Sequence, residues 1–242
     1  MPSWQVSAPL VAGMDGYRSG WILVVTSAEE CGVSVVSVAS EIKEAIALLD
    51  AGQLAAVALG IPIGLPTSGP RTCDVAARRL LGPRHSSVFP VPVRSALGST
   101  TYEEASAATR AASGKAMLKQ TFAIMRRVEA VDSLMTPERQ DTLIAVHPEV
   151  SFTVLAGQPM AHHKTTQQGR TERLSALRGV FLDVDKHLDS WFPADTRLPG
   201  SRPDHLLDAY VAAWSARRWV NGTYQRLGGE VDERGLRMEI IA

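Results

Sequence analysis

Hydrophobic and polar positions along the chain change period several times, and each change marks an element. Leu10 to Asp15, Trp21 to Thr26 and Val33 to Ala39 are short runs rich in Val, Ile, Leu and Trp, bounded by glycines and serines, and they predict three successive strands. From Ser40 the period becomes helical, with Ile42, Ala45, Ile46 and Leu49 at i, i+3, i+4 and i+7. Ala55 to Leu59 is continuously apolar, as in a strand buried on both faces. The order strand, strand, strand, helix, strand suits an antiparallel meander followed by a crossover to a strand parallel to the first.

Residues 61 to 141 read as a long excursion, with helices near 72–81, 101–112 and 115–135 and a proline-rich loop from Phe89 to Arg94. Thr142 to Val146 predicts another strand, ending in His147-Pro148-Glu149. Leu174, Leu177, Phe181, Val184, Leu188 and Trp191 form a helical stripe that reads as a packing face. After the breaker-rich segment PADTRLPGSRP, a last helix is predicted over 203–219, with Pro203 in its first turn. The tail GLRMEII reads as an edge strand. One α/β domain over 1–242, with a helical insertion at about 66–140, fits this order.

Composition narrows the function. The 242 residues are 45% hydrophobic, enough for one sizeable core, and 25 basic residues balance 25 acidic ones. The whole molecule is therefore no electrostatic glue, and a nucleic-acid contact needs a local basic patch. Cys31 and Cys73 lack CxxC spacing and read as free thiols. The N-terminus lacks the pattern of a signal peptide, and the apolar run near Leu54 to Pro66 is too short to span a bilayer, so a soluble cytoplasmic protein without membrane contact is expected.

Acids mark the candidate chemistry. Asp15, in Gly13-Met14-Asp15-Gly16, ends the first strand, and a lone carboxylate at a buried strand tip needs a partner. Glu149 follows the 142–146 strand. Asp204 and Asp208 are four apart on the last helix, and Ala212 and Ser215 continue their face. A face that small lets the helix approach a sheet closely, which would bring Asp208 to Asp15. Carboxylates gathered in one cleft repel unless a hard cation joins them, and Mg²⁺ or Mn²⁺ held by Asp15, Glu149, Asp208 and Asp204 is the corresponding expectation. Each acid also has a simpler role open to it: turn amides or Arg18 for Asp15, the helix dipole for Asp204, an arginine for Asp208.

Between positions 71 and 94 lie five arginines and one acid, Asp74. Arg71, Arg84, His85 and Ser86, with Lys115 and Gln120 further on, are candidates for gripping phosphate. SGKAMLK is not a Walker A loop, for it lacks the leading glycine and the Ser/Thr after lysine. His162-His163 has no further zinc ligands, His147 reads as a structural hydrogen-bonding residue, and no G-x-S-x-G elbow occurs.

GMDGYRSGW, IPIGLPTSGPRTCDVAARRLLGPRHSSVFPVP, SGKAMLKQTFAI, VHPEVSF and LLDAYVAAWSARR together resemble the domain-of-unknown-function family 429, described as predicted RNase H-like nucleases. The resemblance runs from about Gly13 to the GLRMEII tail. It implies an RNase H-like fold: a mixed sheet of a three-strand antiparallel meander and then parallel strands, flanked by helices. It also implies a divalent-metal nuclease acting on nucleic acid or a nucleotide, with Asp15 as the first-strand ligand, Asp208 as the final-helix acid and Glu149 near the cleft. The family usually carries Asp-x-Pro-x-Gly-Leu after the fourth strand, where this chain reads Gly60-Ile61-Pro62-Ile63-Gly64-Leu65. An acid is thus replaced by Gly60. Glu149 or Asp74 could compensate; otherwise the resemblance points to a catalytically silent binding module of the same fold. Glu44, opposite the apolar stripe of its helix, is a poor substitute. An actin-like kinase is disfavoured, since no second copy of the half-domain occurs.

Overall fold

The computed structural model describes residues 8–29, 34–191, 200 and 202–242. Its main sheet has five strands in the order β3-β2-β1-β4-β5: β1 (Leu10–Tyr17), β2 (Gly20–Ser27), β3 (Val35–Ala39), β4 (Ala56–Leu59) and β5 (Leu143–Ala145). β1 to β3 form the antiparallel meander, and β4 and β5 add in parallel. This is the expected RNase H-like arrangement. Residue 33, the expected start of the third strand, Cys31 and most of PADTRLPGSRP lie outside the described residues. Among those described, no helix is long and apolar enough to cross a membrane.

Helices cover both faces. α1 (Ile42–Asp50) begins two residues after Ser40, because Glu41 is its N-cap and Glu44 folds back in a capping box. Glu44 thereby accepts from Ser40 at 2.8 Å and is spent on the cap. α2 (Thr72–Leu81), α3 (Tyr102–Ser113) and α4 (Lys119–Leu134) fill the excursion between β4 and β5, with 3-10 turns at Gly82–Ser87 and Arg94–Ala96. Lys115 precedes α4 rather than standing within it. Glu149 belongs to a helix the sequence reading missed, α5 (Pro148–Ala156). The stripe from Leu174 to Trp191 is two helices, α6 (Gln167–Arg178) and α7 (Val184–Trp191), parted near Gly179. α8 (Pro203–Val220) follows. β7 (Arg237–Ile241) is not an edge of the main sheet but pairs with β6 (Arg226–Val231) in a second, two-stranded sheet; Ile241 alone bridges to Val146.

Alternation along the strands sorts the faces. Ala12 and Met14 of β1, and Val57 and Leu59 of β4, pack with residues of α1 and α4. Val11 of β1, and Ala56 and Ala58 of β4, pack with Ala212 and Ala216 of α8. Position 13 shares the parity of Val11. A Cβ there would stand 2.0 Å from the Ala213 nitrogen and 2.2 Å from the Ala209 oxygen. Only glycine permits this backbone-on-backbone contact, and the small residues of α8 supply its other half.

Candidate active site

The same alternation delivers the acids. Asp15 lies two residues beyond Gly13 and therefore turns to the α8 side, where Asp208 waits one helical turn before Ala212. Glu149 enters in the first turn of α5, after Pro148 at the helix start. These three carboxylates line one cleft of about 650 Å³. Arg84, His85 and Ser86 of the 3-10 turn line the same cleft, as do Arg78, Gln120 and Arg127.

Each acid already has a basic neighbour. His205 Nδ1 lies 2.8 Å from Asp15 Oδ2. The Lys164 ammonium is 2.5 Å from Asp208 Oδ2. Arg173, fully buried, donates from Nη2 to Glu149 Oε1 at 2.6 Å and from Nη1 to the His162 and Gly169 carbonyls. That guanidinium thus ties Glu149 to the loop presenting His163 and Lys164 to the cleft. None of these three pairs follows from local spacing; the only hint was His205, set between Asp204 and Asp208.

Burial pushes the Asp208 carboxyl up to about 6; the Lys164 ammonium opposes the shift, while the charges of Asp15 and Glu149 add to it. Lys164 is held above its ordinary value, burial being outweighed by Asp208 and Asp15. The two together form an ammonium–carboxylate pair at neutral pH. Burial lowers His147 and keeps it neutral; its Nε2 contacts the Ser87 carbonyl at 3.3 Å, the structural role expected, and its Nδ1 is buried without a partner.

The other predicted residues are distributed unevenly. Arg71 is buried and spends its guanidinium on Asp74, at 2.7 and 3.0 Å, and on the Ile63 and Gly64 carbonyls. It lines the cleft with Asp74 and braces the segment after β4, with four of its five N–H donors engaged within the protein. Asp204 pairs with Arg202 at 2.9 Å and does not line the cleft. Lys115 is exposed and also outside the lining.

Among the described residues, no three His, Cys, Asp or Glu side chains are arranged to hold a metal ion, so the expected four-carboxylate cage is not assembled. Each of the four acids is paired with a basic side chain instead, and no further acid is added by Gly60. It has the parity of Ala58, and a Cβ on it would stand 2.9 Å from Asp15 Oδ1. An acid at position 60 would thus sit beside Asp15; without it, Lys164 supplies positive charge to the carboxylates. Yet Asp208 Oδ1 and Glu149 Oε2 are buried with no hydrogen-bond partner. Orphaned carboxylate oxygens are costly. They are hard donors, of the kind that suits a divalent cation.

The family described as Protein of unknown function (DUF429) matches residues 13–233. The chain belongs to that family. The match spans every cleft residue from Asp15 to Asp208, so this DUF429 member carries its acids and its basic wall within the family's common region. The fold is also similar to that in the Thermus thermophilus RuvC structure, with a TM-score of 0.40 and 14% identity over 88% of this chain and 97% of that one. No curated protein sequence matches.

Proposed function

We propose that the cleft binds the phosphodiester backbone of a nucleic acid and hydrolyses it with the help of one divalent cation, Mg²⁺ or Mn²⁺. The observation carrying this reading is the convergence of Asp15, Glu149 and Asp208 on a cleft also lined by Arg84, His85 and Ser86. Asp208, through its unpartnered Oδ1, and Asp15 would hold the cation. When bound, it polarises a phosphoryl oxygen and lowers the pKa of a water. The chain's own residues do the rest. Arg84 and His85 draw in the phosphate, Ser86 orients it, and Arg173 keeps Glu149 and the Lys164 loop in register. Lys164, paired with Asp208, would compete with the cation for that carboxylate.

Cleavage of labelled DNA, RNA and hybrid strands with and without Mn²⁺ tests this. Metal-dependent products are expected, falling at least a hundredfold in Asp15→Asn and Asp208→Asn. Activity unchanged in both variants removes the acids from the mechanism.

The second reading, a silent nucleic-acid or nucleotide-binding module, is favoured by Gly60 and by the basic partner on each acid. It expects salt-sensitive, metal-independent binding without turnover. Lys164→Met separates the two: the enzyme reading expects Mn²⁺ affinity by calorimetry to rise about tenfold once the competing charge is gone, whereas the module reading expects no change.

A further inference from the structure

A second groove, of about 820 Å³, lies between the β1–β2 turn, the start of α1 and the outer side of α4. Its charged lining is Arg18, Lys43, Arg126 and Arg127 against the single carboxylate of Glu41. Four cations to one anion is a strong local bias in a chain whose total charge is zero. Glu41 offsets only Lys43, at 2.8 Å. Arg18 and Arg126 are exposed and pair with no acid among the described residues.

Arg127 joins this groove to the acidic cleft, because it lines both. It is held there from three sides. Its guanidinium donates to the Tyr17 carbonyl and lies 5.9 Å from the centre of the Trp21 ring. Gly16, the residue after Asp15, leaves room for it: a Cβ at position 16 would meet Arg127 Nε at 2.8 Å. An arginine held on three sides therefore shares the cleft with the first-strand acid, and exposed arginines without an acidic partner continue from it along the second groove. Trp21 is buried beneath, so the groove offers charge and no exposed ring on which a base could stack.

We infer that this groove is the track along which a polynucleotide strand leaves the cleft, bound through its phosphates without regard to base sequence. The inference rests on the reading of the cleft as a phosphodiester site and adds where the rest of the ligand lies. Phosphate contacts position a strand and make its affinity salt-dependent. A ligand only one or two nucleotides long would fill the cleft and never reach Arg18 or Arg126.

Fluorescence anisotropy of a labelled oligonucleotide of about 20 residues, single-stranded and duplex, in EDTA and over a range of salt, tests the track. Arg18→Gln/Arg126→Gln removes two exposed charges, and Arg110→Gln/Arg170→Gln, at exposed positions lining neither cavity, is the matched control. We expect the groove pair to lose about tenfold in affinity at low salt. Its slope of log affinity against log salt should drop by about 1.4 for single strands or 1.8 for duplex, with the control at wild-type values. Wild-type affinity and slope in the groove pair, or an equal loss in the control, overturns the inference. Hydrolysis of bis(p-nitrophenyl) phosphate by the unaltered protein with Mn²⁺ reports on the cleft alone. Groove-dependent binding without that hydrolysis supports the track and counts against catalysis.

Discussion

The two walls of the cleft are built by opposite means. The acidic wall comes from the end of β1, the first turn of α5 and the second turn of α8, and its carboxylates are mostly buried and paired with basic side chains remote in sequence. The basic wall hangs on a short 3-10 turn after α2, where His85 and Ser86 are exposed. One wall is part of the core; the other is attached to it. The difference teaches that the same cleft holds groups whose loss would unfold the protein and groups whose loss would only weaken a ligand.

The largest effect is expected at Arg173. Arg173→Met leaves Glu149 buried without its counter-charge, and urea denaturation should show a loss of about 4 kcal/mol. The double variant Glu149→Leu/Arg173→Met should recover part of it. A loss below about 1 kcal/mol in the single variant would put Glu149 with the adaptable wall instead. Next comes Gly13→Ala. Its methyl must push α8 off β1, at about 3 kcal/mol, and should cost metal-dependent cleavage even where the fold survives.

Acid–base behaviour gives a smaller, graded effect. Asp208 is raised from its ordinary range to about 6. A carboxyl raised by folding favours the folded state while protonated, and that contribution is lost as pH climbs from about 4 to about 6. In EDTA, the melting temperature of the wild type should therefore show a downward component over that window which is missing from Asp208→Asn. Parallel curves for the two proteins would contradict the assignment. The smallest stability effect belongs to the basic wall: Arg84→Gln/His85→Gln should shift the urea midpoint by less than about 0.5 kcal/mol while oligonucleotide affinity drops about tenfold. A large destabilisation there would erase the contrast between the walls.

Periodicity made the scaffold legible. The alternation in β1, the all-apolar β4 and the small face of α8 foretold both the sheet and the meeting of Asp15 with Asp208. What periodicity does not encode is pairing at a distance. Lys164 reaches Asp208 across 44 positions and His205 reaches Asp15 across 190, so neither leaves a local signature. Arg71 shows that a basic run does not reveal which arginines are already paired: it lines the cleft, yet it is bound to Asp74, three residues on in the chain. α5 was overlooked because its apolar residues are buried around much of its circumference, leaving no stripe. β6 was overlooked because paired glycines, Gly228 and Gly229, masked its period.

The contact at Gly13 also governs motion. With main chain seated on main chain at this point, no rotamer there acts as a soft spacer between β1 and α8. Asp15 and Asp208 are therefore anchored to what amounts to a single rigid unit. Their spacing should persist through loop fluctuations and ligand exchange, and give way only when the whole sheet comes apart.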